Sequence, residues 1–126
     1  SVTSKSFIPD SVCYNACVMA SQVGARAIVG LTRSGYTAYK VSAQRPNADI
    51  LIFTDVPDML NVLSLVWGVR VFFYDRHVST DETIIELQDI LKEKGYVNKD
   101  DIIINLASIP LEDQARTNMI KLGRVK

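Results

Sequence analysis

The chain has 126 residues, with fourteen basic and fourteen acidic side chains that leave no net charge at pH 7. That length suits one domain with its own core and leaves little room for two compact ones. The balanced charge excludes a global field that would draw the domain to nucleic acid or to an anionic membrane, so any anion site must be local.

No apolar run approaches the roughly 20 residues of a bilayer span and no signal-peptide pattern opens the chain, so the sequence reads as soluble, intracellular and cytoplasmic. The first residue is Ser1 rather than methionine, and residues 1–9 read as an irregular lead-in. The expectation is a single domain over residues 1–126 cut from a longer protein, with a processed amino terminus as the blander reading.

Asp10 or Ser11 is placed to cap a first helix that runs through Cys13, Ala16, Cys17 and Ala20 to Val23 and stops at Gly24. The two cysteines are four residues apart, which puts them on the inward face as small apolar fillers. That spacing orients a disulfide poorly, and one histidine with no second cysteine pair is too few ligands for zinc. No metal site is expected.

Residues 27–31 read as a first strand, the loop Thr32-Arg33-Ser34-Gly35 follows, and a helix begins at Tyr36 and ends before the turn Arg45-Pro46-Asn47. Residues 49–54 lack polar alternation and read as a strand buried on both faces, as in a parallel sheet. Pro57 suits the first turn of a third helix, with Met59, Leu60, Leu63 and Val66 on its apolar side and Gly68 as its stop. Residues 69–74 form a third strand. Ser79-Thr80-Asp81-Glu82 has capping-box spacing for a fourth helix, whose buried stripe is Ile84, Leu87 and Leu91. Residues 101–106 make a fourth strand, and a loop over 107–116 leads to a last short strand around 118–122. No helix separates these two, so the last strand is expected to run antiparallel at the sheet edge, where it is also the natural place for subunit pairing. The order predicts a three-layer α/β/α sandwich around a mostly parallel five-stranded sheet.

Ligands in such sheets bind beyond the carboxyl ends of the strands, which is where Thr32 falls. Thr32, Ser34 and Thr37 offer hydroxyls, Arg33 a charge-assisted contact, and Gly35 and Tyr36 backbone N–H groups in a loop that glycine lets a ligand approach. Together with the positive end of the following helix these make a phosphate cup. An ordinary junction in which Thr32 or Ser34 caps the helix explains the same composition equally well. Neither the Gly-Lys-Ser/Thr ending of a nucleotide-hydrolysing loop nor the three spaced glycines of a dinucleotide fingerprint occurs. His77 has no evident serine or cysteine nucleophile to serve, so a surface or structural role is favoured over catalysis. Asp58, Asp81, Glu82 and Asp89 read as helix-start or solvated carboxylates. Trp67 is expected to cap the core, with an interface anchor as its other use. A stand-alone enzyme of flavodoxin-like architecture lacks the reactive cluster it would need.

From about Asp10 onward the chain resembles the carboxy-terminal domain of pyruvate kinase. The family's Thr-x-Ser-Gly-x-Ser/Thr loop, followed by an Arg-Pro turn and a strand, is matched by Thr32-Arg33-Ser34-Gly35-Tyr36-Thr37, Arg45-Pro46 and the strand from Asp49. Residues 25–29 and 117–121 also look like family segments. The resemblance implies an α/β/α domain with an antiparallel last strand, which builds dimer and tetramer contacts and, in many members, holds a phosphorylated allosteric effector. It implies no catalytic residue in this chain, because the barrel that transfers phosphate from phosphoenolpyruvate to ADP with magnesium and potassium lies upstream.

Carried over by motif, Thr32, Arg33, Ser34 and Thr37 match positions that grip one phosphate, with Gly35 and Tyr36 in the same loop. Members that bind fructose 1,6-bisphosphate commonly carry a glycine-rich loop before the last strand, whereas residues 108–116 here include Glu112 and Asp113, which would repel a second phosphate they faced. Arg116 would partly offset them. The family's tryptophan and arginine contacts to that second phosphate have no clear match between Tyr74 and Leu91. A monophosphorylated sugar, a nucleotide monophosphate, or no effector in a purely oligomerising module are the readings left open.

Overall fold

A computed structural model describes residues 7–107 and 117–126, in the order α1 (Phe7–Val23), β1 (Ala27–Leu31), α2 (Tyr36–Ala43), β2 (Asp49–Thr54), α3 (Pro57–Ser64), β3 (Val69–Phe73), α4 (Thr80–Glu93), β4 (Ile102–Ala107) and β5 (Met119–Arg124). The strands form one sheet in the order β3-β2-β1-β4-β5. The first four are parallel, and β5 pairs antiparallel with β4, from Ile102 opposite Arg124 to Ala107 opposite Met119. The expected architecture is the one observed.

Alternation along the central strands divides the core between two faces. Ile28, Ile50, Ile52, Ile104 and Leu106 face a layer made by α1, α2 and α3, which contribute Cys13, Ala16, Ala20, Ala38, Val41 and Leu63. Val29, Leu51, Phe53 and Ile103 face α4, which contributes Leu87 and Leu91. Burying a side chain such as Phe53, which is fully enclosed, is worth about 1.5–3 kcal/mol relative to exposure. The small residues of α1 bring that helix close to the sheet. At β1, a Cβ on Gly30 would meet the Thr37 methyl at 3.2 Å, so the absence of a side chain there lets α2 settle onto the strand.

Three local expectations are corrected. The first helix begins at Phe7, not after a lead-in ending at Pro9: Pro9 sits in the first turn, where a missing N–H costs no helical hydrogen bond. The third helix ends at Ser64, before Gly68, because Leu65 and Val66 donate to Val62 and Leu63 three residues back and tighten its last turn. Trp67 does not cap the core. The residue is 49% exposed and its ring lies 4.5 Å beneath the Arg45 guanidinium, while its carbonyl accepts from the buried Ser42 hydroxyl.

The chain leaves β1 toward β2 and β3 on one side, then returns through α4 to β4 on the other side of β1. The carboxyl ends of β1 and β4 therefore flank the point where strand order reverses, the place where open α/β sheets bind ligands. The loop over residues 32–35 leaves from β1 at this point.

Candidate functional site at the end of the first strand

Thr32 continues the ladder beyond β1, donating its N–H to the Phe53 carbonyl at 2.9 Å. Its buried hydroxyl oxygen accepts from the Gly35 N–H at 3.0 Å, and the Ser34 hydroxyl accepts from the Tyr36 N–H at 3.3 Å. Gly35 is the N-cap of α2 with φ of 84°, a left-handed conformation that leaves the loop no side-chain cap of the usual kind. Thr32 and Ser34 do that work from outside the cap position.

The two readings of these hydroxyls are compatible. A hydroxyl that accepts a backbone hydrogen bond keeps its own O–H to donate, so Thr32 and Ser34 can close the loop and still present hydrogens to an anion. The N–H groups of Thr37 and Ala38 belong to the first turn of α2, where no intrahelical acceptor exists, and they add the positive end of the helix.

The remaining residues of the motif are not all turned to one spot. Thr37 is 3% exposed, and its hydroxyl lies 2.6 Å from that of Thr117, just ahead of β5. The exposed Arg33 guanidinium reaches 2.8 Å to the Asp55 carboxylate in the loop after β2. Lys40, one turn into α2, lies 5.5 Å from the centroid of the Tyr36 ring and 3.5 Å from Asp10 of α1. Asp55, Lys40 and Thr117 were not singled out from the sequence. The parallel register brings Asp55 to the loop and the return of β5 brings Thr117, whereas Lys40 arrives on α2 itself. Arg116, Glu112 and Asp113 lie outside the described residues.

On the α4 side of the same strand ends, a small apolar pocket is lined by Val29, Leu31, Thr83, Ile84, Leu87 and Asn105 among others. Nearby, Tyr74 donates its hydroxyl to Glu86, which is also paired with Arg76 at 3.1 Å. Burial raises the Tyr74 phenol above its ordinary value, and the hydrogen bond with Glu86 adds to that rise. His77, two residues beyond Asp75, is exposed. Among the described residues no group of three or more His, Cys, Asp or Glu side chains converges on a metal position. No described helix is long and apolar enough to cross a membrane.

The sequence model of the family described as "Pyruvate kinase, alpha/beta domain" matches residues 10–122. The chain belongs to that family. Pyruvate kinase of Clostridium acetobutylicum is 34% identical over 117 residues, 93% of this chain and 25% of that protein. The pyruvate kinase of Lactobacillus delbrueckii subsp. bulgaricus is 35% identical over 103 residues, 82% of this chain and 18% of its own length. The chain thus spans a quarter or less of these pyruvate kinases and corresponds to their carboxy-terminal domain. A crystal structure of pyruvate kinase from Cryptosporidium parvum superposes with a TM-score of 0.83 over 94% of this chain and 23% of that one, at 23% identity, a likeness of fold.

Proposed function

We propose that this chain is the regulatory and assembly domain of a pyruvate kinase and that residues 32–37 hold the phosphate group of a small phosphorylated effector. The observation that carries the reading is the pair of loop hydroxyls, Thr32 and Ser34, each accepting from a backbone amide at the start of α2 and so keeping its own O–H as a donor. Arg33 adds positive charge to the same loop. An effector bound here would bias the arrangement of domains or subunits only through a different affinity for two states of the full protein.

The parent enzyme converts phosphoenolpyruvate and ADP to pyruvate and ATP in a catalytic barrel belonging to the rest of the protein. In this reading magnesium and potassium are held by that barrel, and this chain alone makes no pyruvate. The open edge of β5, where Leu122 is 46% exposed, suits continuation of the sheet into a second copy in a homodimer or homotetramer of a cytoplasmic enzyme.

Calorimetric titration with fructose 1,6-bisphosphate, ribose 5-phosphate, glucose 6-phosphate and AMP tests the effector reading. Binding of a monophosphate that is lost in a variant carrying Arg33→Ala and Ser34→Ala is the expected result. A second reading, an assembly module without a ligand, draws on the internal satisfaction of the loop, whose Arg33 is already paired and whose hydroxyls already cap. Silence across the whole panel favours it and removes the first.

A further inference from the structure

The parallel register of β1 and β2 pairs Leu31 with Phe53, and Arg33 and Asp55 lie at the same offset, two residues beyond that pair in adjacent loops. Their proximity is thus a property of the sheet rather than of two wandering side chains. On the β2 side the backbone is held on both flanks of Asp55. Thr54 is fully buried, its hydroxyl accepts from the Val56 N–H at 3.2 Å, and its carbonyl accepts from the Tyr74 N–H at 2.9 Å. The carboxylate is 19% exposed, whereas its arginine partner is 50% exposed. Asp55 also lies just before the N-terminus of α3, where the helix dipole favours a negative charge. The anchored member of this pair is the acid.

We propose that Asp55 is a built-in competitor for the anion of the Thr32 loop. It occupies the one cationic side chain within the loop and sets how tightly phosphate is held there. This rests on the reading that residues 32–37 bind phosphate. A phosphate entering the loop either takes the Arg33 guanidinium from Asp55 or shares it, since a guanidinium has five N–H donors. Sharing puts a carboxylate beside the phosphate, and like charges at that range repel. Both routes weaken binding relative to a loop in which Arg33 is unengaged. The arrangement disfavours highly charged ligands most and makes a monoester the better fit than a bisphosphate.

The test is NMR titration of the 126-residue chain with inorganic phosphate, following the amides of Thr37 and Ala38, for wild type, Asp55→Asn, Arg33→Ala, Ser34→Ala and the double variant of positions 33 and 55. Asparagine keeps the shape of Asp55 and removes its charge. Because the arginine side of the pair is half exposed, the expected gain in affinity from Asp55→Asn is about two- to fivefold, and it disappears when Arg33 is alanine. If Asp55→Asn binds phosphate no more tightly than wild type while Arg33→Ala and Ser34→Ala weaken it, the competitor role is overturned and the phosphate loop stands. If neither wild type nor Asp55→Asn shows a shift at these amides, both are overturned.

Discussion

The hydroxyl oxygens of Thr37 and Thr117 lie 2.6 Å apart inside the protein, joining the first turn of α2 to the segment that leads into β5. Both side chains are buried, so neither can turn to water if the other is removed. Thr37→Val keeps the methyl that packs over Gly30 and deletes the hydroxyl, leaving Thr117 without its partner. A buried polar group stranded in this way costs about 1–3 kcal/mol. Replacing both threonines by valine removes the stranded group as well and should recover much of that loss. Urea unfolding of the two single variants and the double variant measures the coupling, and additive losses would show that the two hydroxyls do not depend on one another.

Gly35 carries the sharp entry into α2. Its φ of 84° is unfavourable for any residue with a Cβ, and a Cβ built there would lie 3.0 Å from a Leu63 methyl and 3.2 Å from the Tyr39 ring. Gly35→Ala therefore combines backbone strain with a clash against two packed side chains, at a cost of about 1–3 kcal/mol. It should also widen the loop and weaken any anion bound to it. Calorimetric melting together with the phosphate titration checks both, and an alanine variant as stable as wild type would show that the loop relaxes without penalty.

The sheet was legible because apolar runs such as residues 49–54 have no polar alternation, and the helices because Ser79 and Gly24 punctuate them. The antiparallel last strand followed from the lack of a helical pattern in the sequence between the last two strands. The loop of residues 32–37 was legible as a motif, but its partners were not. Asp55 meets Arg33 only through the register of two parallel strands, and Thr117 meets Thr37 only after β5 has folded back, so no local spacing encodes either pair. Trp67 misled for a related reason: tryptophan before a strand suggests burial, whereas Arg45, in the turn after α2, supplies a flat cationic cover that lets the ring stay at the surface.

The capping box of α4 is formed in part as its sequence spacing implies, with the Ser79 hydroxyl accepting from the Glu82 N–H at 3.2 Å. Ser79→Ala removes that acceptor at an exposed helix start and should cost about 1 kcal/mol. Asp at the same position should retain most of the stability, because its carboxylate accepts from the same amide and complements the helix dipole. Chemical denaturation of the two variants decides this. An alanine variant with an unchanged midpoint would show that the remaining first-turn contacts hold α4 without its cap.

Cys13 links burial to pH. Its side chain is 1% exposed, and its thiol is pushed from an ordinary 9.0 up to about 12, first by burial, with smaller increments from Cys17 and Asp10 against a small opposing effect of Lys40. Above pH 9 the unfolded chain therefore binds fewer protons at this thiol than the folded chain does. The contribution is complete below pH 9 and is lost as pH rises toward 12, so stability falls across that window. Burial raises Cys17, and burial aided by Glu86 raises Tyr74, so both push in the same direction. Urea midpoints from pH 7.5 to 10.5 should decline for wild type and decline less steeply for Cys13→Ala, whose lower starting stability does not affect the slope. In the native state Cys13 should resist a thiol-specific reagent at pH 8 and react only on unfolding, since the thiolate is the nucleophile and burial suppresses it. Rapid native-state labelling at Cys13, or equal slopes for the two proteins, would show that the thiol reaches solvent and that its ionisation is not coupled to folding.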